Sequence, residues 1–377
     1  MKKIGIITVH RLPNWGSALQ GYALQKVIES LGYECECINY TYPNPWHVAR
    51  GSNGKGRIKL KTKLAISLGL RAHSKWDIIE GFVKKEINES KVYSSFEDIH
   101  TDIPKYDIYI SGSDQIWNWK TMHGDTTYLL DFVPKDKPKI AYSSSFSVNY
   151  IPENLKETYK RLLSEYKSLS VRESNGSKII KELTGRDAPV VLDPSLLLDD
   201  NHWKMLASRA KWKHTMPKKY ILSYMLGYTY NPAPAMAALL TRLQQIHKCP
   251  VIMIGNTNNS FHGEIFKISK SQDVGVYEFL WLVEHATVVA SSSFHGTAFA
   301  VNMGVPIVSL VENSNQEDDR IPSFLSSVGL YNNIVNIQTD FNNMEINGNY
   351  DVCMAHNKLQ EQRIKSIEFL KQSINQV

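Results

Sequence analysis

Short apolar runs alternate with helical patterns along most of the chain. The run from Ile4 to Val9 is rich in β-branched residues, and apolar residues recur at every fourth position from Ala18 to Leu31. A second strand-like run extends from Glu34 to Asn39. The order strand, helix, strand predicts that the chain opens with a βαβ unit and a parallel sheet.

Further strand-like runs fall into two series, which the polar, lysine-rich segment 199–217 separates. We expect these strands at 107–111, 140–143, 168–171 and 190–192 in the first series and at 220–224, 251–254, 288–291 and 306–310 in the second. The chain is therefore divided into an N-terminal domain, residues 1–198, and a C-terminal domain, residues 199–377. The amphipathic pattern from Met354 to Ile374 predicts a final helix that packs back across the domain junction.

The pattern as a whole predicts the α/β fold class. The length of 377 residues exceeds what one hydrophobic core usually supports. We expect two Rossmann-like domains facing across a cleft, with a C-terminal amphipathic helix. Ligands of such folds bind at the carboxyl ends of the strands, so the cleft is the expected active site.

Composition narrows the function classes. Apolar residues make up 42% of the chain and charged residues 21%, which excludes a disordered or fibrous protein. The formal net charge of +6 favours an acidic ligand, but no basic stripe with stacking aromatics indicates nucleic acid. The four cysteines lack zinc spacing and no metal motif is evident, so we expect reduced thiols and no metal. The opening residues lack a secretory pattern and no apolar run is long enough to span a bilayer, which predicts a cytoplasmic protein.

The loop from His10 to Ser17 lies between the first predicted strand and the first predicted helix. Free backbone N–H groups and the helix dipole favour an anion there, so Asn14, Trp15 and Gly16 form a candidate phosphate cradle. A plain turn that uses the permissive backbone of Gly16 and Asn14 explains the pattern equally well.

Polar side chains follow two further strands of the first half. Ser113, Asp114 and Gln115 place a hydroxyl, a carboxylate and an amide on a glycine turn, although a helix N-cap is the alternative interpretation. Ser144 and Ser145 follow the next strand, where small hydroxyls let a ligand approach the backbone.

Arg172 directly follows the predicted strand at 168–171. Its guanidinium can clamp a carboxylate or phosphate through two parallel hydrogen bonds. A surface ion pair with Glu173 or Asp193 is the simpler explanation from spacing alone.

The densest group of candidate residues follows the strand at 288–291. Three serines lead to His295 and Gly296 at an expected helix start, and a histidine there can exchange protons near neutral pH. The G-x-S-x-G pattern is absent, which argues against a serine hydrolase. A purely structural histidine is the alternative. Asp318, Asp319 and Arg320 form a charged group that we expect to be solvated.

Taken in order, these segments resemble the polysaccharide pyruvyl transferase family over nearly the whole chain. Each motif is short, and their order carries the resemblance. The matching segments are Asn14–Gln20, Gly112–Asn118, Tyr128–Phe132, Ala141–Phe146, Ser170–Glu173, Val191–Pro194, Ser293–Ala298 and Gly304–Pro306.

The resemblance implies a glycosyltransferase-B-like fold and a transferase that takes phosphoenolpyruvate as its donor. The implied acceptor is a sugar of a surface polysaccharide or of its precursor, including a lipid-diphosphate-linked oligosaccharide, and the implied products are a pyruvate ketal and phosphate. No cofactor is implied. A nucleotide-sugar-dependent glycosyltransferase and a non-catalytic glycan-binding relative remain the alternatives, because a fold does not fix a function.

The resemblance also implies roles for the candidate residues. His295 is expected to be the general acid or the phosphate partner, Asp114 a base or acceptor-orienting carboxylate, and Arg172 the donor clamp. Some similar transferases carry an arginine at the position of Ser293; either Arg320 replaces it here, or this branch of the family binds its donor differently. The substrate-binding residues predicted are Asn14, Trp15, Gly16, Ser113, Gln115, Ser144, Ser145, Ser293, Phe294, Gly296, Thr297 and Arg320.

A basic stretch extends from Trp46 to Trp76 without any acidic residue. Leucines recur in it at every fourth position with lysines between them, which is typical of an amphipathic helix at a membrane surface. The alternative is an ordinary surface helix. If the acceptor is lipid-linked, this stretch is expected to give peripheral contact with an anionic membrane at the inner face.

Overall fold

The structure is a computed structural model that describes residues 2–41, 75–227, 230–256, 258–268, 274–312, 318–342 and 344–377. The chain forms two compact units, Met1–Leu197 with Lys365–Val377 and Leu198–Ile364. Each unit contains one sheet, and every strand pairing within the described sheets is parallel. Because parallel strands need crossover connections, helices alternate with the strands in both units, as the sequence pattern predicts.

The first unit has a sheet of six strands. The strands are β1 (Lys3–Ile7), β2 (Glu34–Tyr40), β3 (Glu89–Tyr93), β4 (Ile108–Ser111), β5 (Lys139–Ser144) and β6 (Ser168–Val171). Their order in the sheet is β3-β2-β1-β4-β5-β6. The inner strands are apolar runs that are buried along their length, which explains why they read as continuous hydrophobic segments.

Helices follow most of these strands. They are α1 (Trp15–Ser30), α2 (Lys75–Glu86), α3 (Phe96–Thr101), α4 (Trp119–Met122), α5 (Glu153–Ser164) and α6 (Ser174–Thr184). A 3₁₀ turn, Pro194–Leu196, closes the unit and packs against α1. The apolar side chains of these elements form a continuous core around the sheet.

The second unit has a sheet of five strands. The strands are β7 (Ile221–Met225), β8 (Val251–Gly255), β9 (Val288–Ser291), β10 (Ile307–Val311) and β11 (Ile334–Asn336). Their order is β11-β10-β9-β7-β8, and β7, β9 and β10 are buried along their full length.

Six helices are described after residue 198. They are α7 (Asp200–Ala207), α8 (Ala233–His247), α9 (Val276–Glu284), α10 (Phe294–Asn302), α11 (Arg320–Ser327) and α12 (Val352–Asn375). The final helix, α12, is the predicted amphipathic helix. His356 near its start contacts the Val301 carbonyl oxygen at 2.9 Å, and Ser366 Oγ later accepts a hydrogen bond from the Leu192 amide at 3.0 Å. The helix therefore contributes residues 352–364 to the second unit and its remainder to the first.

The structure corrects the strand predictions at three places. The expected strand at 190–192 is only a single bridge between Val190 and Val171, because the chain then turns into the 3₁₀ turn that follows Asp193. β3 and β11 were not predicted. Both are edge strands, and edge strands are short or carry charged residues that interrupt the apolar pattern.

No helix in the described parts of the chain is long and apolar enough to cross a membrane. Almost all of the basic stretch from Trp46 to Trp76 lies outside the described residues.

Candidate active site

Four neighbouring strands of the first unit end at the same edge of the sheet. β1, β4, β5 and β6 are adjacent and parallel, so the turns that follow them meet at their carboxyl ends. These turns carry most of the polar residues predicted for the first half. Such an edge is where α/β proteins of this kind bind ligands.

Asp114 is the carboxylate at the centre of this edge. Its Oδ2 accepts a hydrogen bond from Ser17 Oγ at 2.7 Å, and its Oδ1 accepts one from the Gln115 amide at 2.9 Å. The side chain is nearly buried, and the residue has a φ of +75°, which is uncommon for any residue except glycine. Because a backbone in this region costs free energy, the surrounding turn must hold Asp114 in place, as is frequent at functional sites.

No helix begins at Ser113 or Asp114, so the interpretation of these residues as an N-cap is wrong. The next helix, α4, begins at Trp119 and is capped by Asn118, whose side chain accepts a hydrogen bond from the Lys120 amide. Ser113 and Asp114 therefore do not cap a helix, whereas Asn118 of the same turn does so.

The segment from Asn14 to Ser17 forms the start of α1. Asn14 caps the helix, because its Oδ1 accepts a hydrogen bond from the Gly16 amide at 3.0 Å. Ser17, in the first turn, reaches Asp114, so the anion that the structure places at this helix start is a carboxylate of the chain itself.

Arg172 is buried and paired with Asp193. Arg172 Nη1 donates to Asp193 Oδ2 at 2.9 Å, and the arginine side chain is almost fully excluded from solvent. The surface ion pair considered from the sequence is therefore a buried one. Asp193 also accepts hydrogen bonds from Ser113 Oγ at 2.8 Å and from the amide and hydroxyl of Ser195, so both oxygens of its carboxylate are held in place.

Two further carboxylates approach the same guanidinium. Asp114 Oδ1 lies 3.6 Å from Arg172 Nη2, and Glu173 Oε2 lies 3.9 Å from Arg172 Nε. Glu173 is buried, and its Oε1 accepts hydrogen bonds from the amides of Phe146 and Ser147 at 2.8 and 3.1 Å. Arg172 thus offsets the repulsion among three carboxylates that would otherwise be costly to bury together.

The serine-rich turn after β5 is the fourth part of this edge. Ser144 Oγ donates to the Gly112 carbonyl oxygen at 3.0 Å, which joins the turns after β4 and β5. Ser143 and Ser147 have φ values of +54° and +52°. Among the described residues, no hydrogen-bond partner reaches the buried hydroxyls of Ser143 and Ser145. Buried hydroxyls normally have a partner, so these two depart from the usual pattern.

The second unit carries the other predicted group, at the carboxyl end of β9. Ser293 is the N-cap of α10, and its Oγ accepts a hydrogen bond from the Gly296 amide at 3.4 Å. His295 is buried in the first turn, and its ring packs edge-on against that of Phe294. A histidine in this place lies at the positive end of a helix, among hydroxyls.

Gly296 fixes how closely this helix start approaches the sheet. A Cβ at residue 296 would lie 2.4 Å from Ser291 Oγ and 2.7 Å from a ring carbon of Tyr224. Ser291 itself donates to backbone oxygens and accepts from the Ser293 amide, so it has little room to move. Thr297 Oγ1 and Ser309 Oγ are 2.7 Å apart, a contact that ties α10 to β10.

Arg320 is buried rather than solvated, which corrects the expectation from the sequence. Its Nε donates to Asp318 Oδ1 at 2.6 Å, and this short-range pairing covers the guanidinium. Arg320 precedes Phe324 by about one helical turn, and the Phe324 ring contacts Phe294 with 6.0 Å between centroids. Arg320 therefore lies on the side of α11 that packs against α10.

Sequence reasoning missed a charged cluster at the end of β1. Glu89, at the start of β3, accepts hydrogen bonds from Arg11 Nε and Nη2 at 2.6 and 2.7 Å and contacts His10 Nε2 at 2.8 Å. Burial opposes ionisation of this carboxyl, but the bonds from Arg11 and His10 hold the pKa of Glu89 at about 2. The sequence pattern did not predict strand β3, and this strand brings Glu89 beside the loop that leads to Asn14.

No group of three or more potential metal ligands is present within the residues that the structure describes. The candidate residues of the first unit supply hydroxyls, amides, carboxylates and the Arg172 guanidinium, and those of the second unit supply hydroxyls, the His295 imidazole and the Arg320 guanidinium.

Each of the two units is an α/β fold around one parallel sheet, which is the glycosyltransferase-B-like fold class. The model of the polysaccharide pyruvyl transferase family matches residues 14–315, and this chain belongs to that family. The match includes every site residue predicted from the sequence except Arg320 and confirms the resemblance. None of the curated proteins compared with this chain matches it.

Solved structures share the fold at low identity. The chain is 12% identical to a protein of Listeria monocytogenes assigned as a UDP-N-acetylglucosamine 2-epimerase, with 98% of this chain and 90% of that one covered and a TM-score of 0.50. The UDP-GlcNAc 2-epimerase of Neisseria meningitidis is 10% identical, with 98% and 94% covered and a TM-score of 0.49. At 12% identity, the similarity to the Listeria monocytogenes protein shows a common fold and nothing about function.

Proposed function

We propose that this enzyme transfers pyruvate from phosphoenolpyruvate to a sugar of a surface polysaccharide or of its lipid-linked precursor. The products are a pyruvate ketal and phosphate. Beside membership of the family, the observation that carries the proposal is the carboxylate of Asp114, held by Ser17 in a strained turn and lying 3.6 Å from Arg172. A carboxylate fixed in this way is suited to take protons from sugar hydroxyls.

The reaction needs an acid, a base and a site for anions. Protonation of the methylene carbon of the donor gives a methyl group and oxocarbenium character at the neighbouring carbon. One sugar hydroxyl adds there and loses its proton, and a second hydroxyl then displaces phosphate from the same carbon. Two hydroxyl protons are lost, one is gained by the methyl group and one by phosphate, so the reaction balances without an oxidant or a cofactor.

We assign these tasks to residues of both units. His295 serves as the general acid or as the phosphate partner, since it lies at the start of α10 where backbone amides favour an anion. Asp114 serves as the base or orients the acceptor. Arg172 is the proposed donor clamp, and the contacts with its three carboxylates also make it a positioning residue for Asp114.

Phosphate release from phosphoenolpyruvate tests this proposal. The enzyme is incubated with the donor and with a panel of free and lipid-linked glycosides, and the product is examined by proton NMR for the new methyl singlet of a ketal. We expect acceptor-dependent release of phosphate together with that singlet, and loss of both in Asp114→Asn. Thermal stabilisation by nucleotide sugars, without any phosphate release, would instead favour a glycosyltransferase. Glycan binding without turnover of either donor would favour a non-catalytic relative.

Peripheral membrane contact is a separate part of the proposal. It is supported by the basic stretch from Trp46 to Trp76, in which each lysine or arginine near an anionic surface contributes on the order of 1 kcal/mol. We expect salt-sensitive binding to anionic but not to neutral liposomes, abolished by changing Lys59, Lys61 and Lys63 to Glu. Equal binding to both kinds of liposome, or none, would contradict this.

A further inference from the structure

Two loops leave the candidate site side by side. The loop after β4 and the loop after β5 begin at a bridge between Asp114 and Ser144, and the Ser145 amide donates to the Asp114 carbonyl oxygen at 3.0 Å. The Trp117 amide then donates to the Ser145 carbonyl oxygen at 3.1 Å. Farther out, Trp119 Nε1 donates to the Tyr150 carbonyl oxygen at 3.1 Å. Three cross-links therefore connect Asp114 with Trp119 and Tyr150 through a continuous pair of loops.

The outer end of these loops carries an aromatic corner, formed by Trp119, Lys120 and Tyr150. The two rings meet edge-on with 5.5 Å between centroids and 62° between planes. Lys120 Nζ lies 5.5 Å from the centre of the Trp119 ring and 5.9 Å from that of Tyr150. Tyr150 is 45% exposed, although most large aromatic residues of this unit belong to its core.

The Trp119 ring is held in place from two sides, since it packs partly against the core of the unit and is bonded to the opposite loop. The indole N–H is already bonded to the opposite loop, so the Trp119 ring needs no water or ligand to satisfy it. Asn118 Nδ2 also donates to Gln115 Oε1 at 3.2 Å, which places two amide side chains on the same loop between Asp114 and Trp119. Pre-organised aromatic rings bind a ligand at a smaller entropic cost than mobile ones.

We propose that the aromatic corner is the acceptor subsite and stacks the ring of a pyranose. The faces of a pyranose present C–H groups that pack on aromatic rings, while its rim of hydroxyls requires donors and acceptors. The corner has both kinds of group, since the Lys120 ammonium lies beside the two rings and the Tyr150 phenol carries a hydroxyl. A sugar bound there is held by the same loop that carries Asp114, five residues before Trp119. The inference rests on the proposed function for its choice of a sugar.

Ligand binding without the donor tests this inference. Saturation-transfer NMR is recorded with methyl β-glycosides of glucose, galactose and mannose as probes. We expect at least one glycoside to bind the wild type saturably, and Tyr150→Ala to weaken it about five- to tenfold, as loss of an aromatic contact does. Tyr150→Phe keeps the ring and should bind as the wild type does. Tyr331→Ala is the matched control, because Tyr331 is 64% exposed and precedes the edge strand β11 at its amino end.

The outcomes separate this inference from the proposed reaction. Wild-type affinity in Tyr150→Ala, or no saturable binding of any probe by the wild type, overturns the subsite. Thermal stabilisation by phosphoenolpyruvate should be equal in Tyr150→Ala and in the wild type, since the corner is assigned to the acceptor. If the glycoside binds through Tyr150 but phosphoenolpyruvate releases no phosphate, the subsite stands and the donor assignment fails.

Discussion

Ser17 donates a hydrogen bond to Asp114 over 2.7 Å and so joins the first turn of α1 to the turn after β4. This contact fixes the position of the carboxylate relative to the first turn of the helix. Asp114 can serve as a base only while it is ionised and correctly oriented.

We therefore expect Ser17→Ala to lower turnover by roughly tenfold and Asp114→Asn by roughly 100-fold or more. The measurement is the initial rate of phosphate release with saturating donor and acceptor. Ser30→Ala is the matched control on the same helix, since Ser30 Oγ only donates to the Val27 carbonyl oxygen. Full activity of Ser17→Ala would show that this contact does not serve the reaction.

Arg172→Lys tests the donor clamp. The substitution keeps the charge but loses the planar fork that binds a carboxylate or phosphate through two bonds, so we expect the donor KM to rise by about tenfold. A fall in kcat with an unchanged donor KM would instead limit Arg172 to positioning Asp114. Arg186→Lys is the control, because Arg186 donates to backbone carbonyl oxygens of Leu163, Tyr166 and Lys167 in the same unit.

His295→Ala should lower turnover by roughly 100-fold or more, because an acid or a phosphate partner is lost from the start of α10. His356→Ala is the control, since His356 contacts the carbonyl oxygen of Val301 near the other end of α10. Thermal unfolding of both variants separates loss of activity from loss of fold. Near-normal turnover of a folded His295→Ala protein would remove this histidine from the mechanism.

The sequence predicted the fold because the inner strands are continuous apolar runs, which only burial on both faces explains. It also predicted that the polar turns of the first unit lie at one edge of the sheet, because polar residues follow those strands directly and parallel strands end at a common edge. The family resemblance added the roles of His295 and Asp114, which spacing alone did not define.

What the sequence did not predict depends on contacts between distant segments. The burial of Arg172 with Asp193 requires the chain to return after α6, and a surface pair was the simpler interpretation. Arg320 was likewise expected to be solvated, because it lies in a run of charged residues, whereas it is buried and paired with Asp318. Trp119 and Tyr150 are 31 positions apart, and neither shows a periodic signal that joins them.

The last prediction concerns Glu89 and the dependence of stability on pH. Burial opposes its ionisation, yet the bonds from Arg11 and His10 lower its pKa from the ordinary 4.5 to about 2 in the folded protein. Above pH 4.5 the carboxyl is ionised in both states and its contribution to stability is complete. Between pH 4.5 and 2 the unfolded chain binds the proton first, so this contribution falls as the pH falls.

We therefore expect Glu89→Gln to reduce the free energy of unfolding by roughly 1–3 kcal/mol at neutral pH. Urea unfolding at pH 7, 4 and 3 should show this difference shrinking as the pH decreases, while the exposed Glu34→Gln control shows little difference at any pH. A wild-type advantage over Glu89→Gln that stays constant with pH would contradict the assignment of this ion pair.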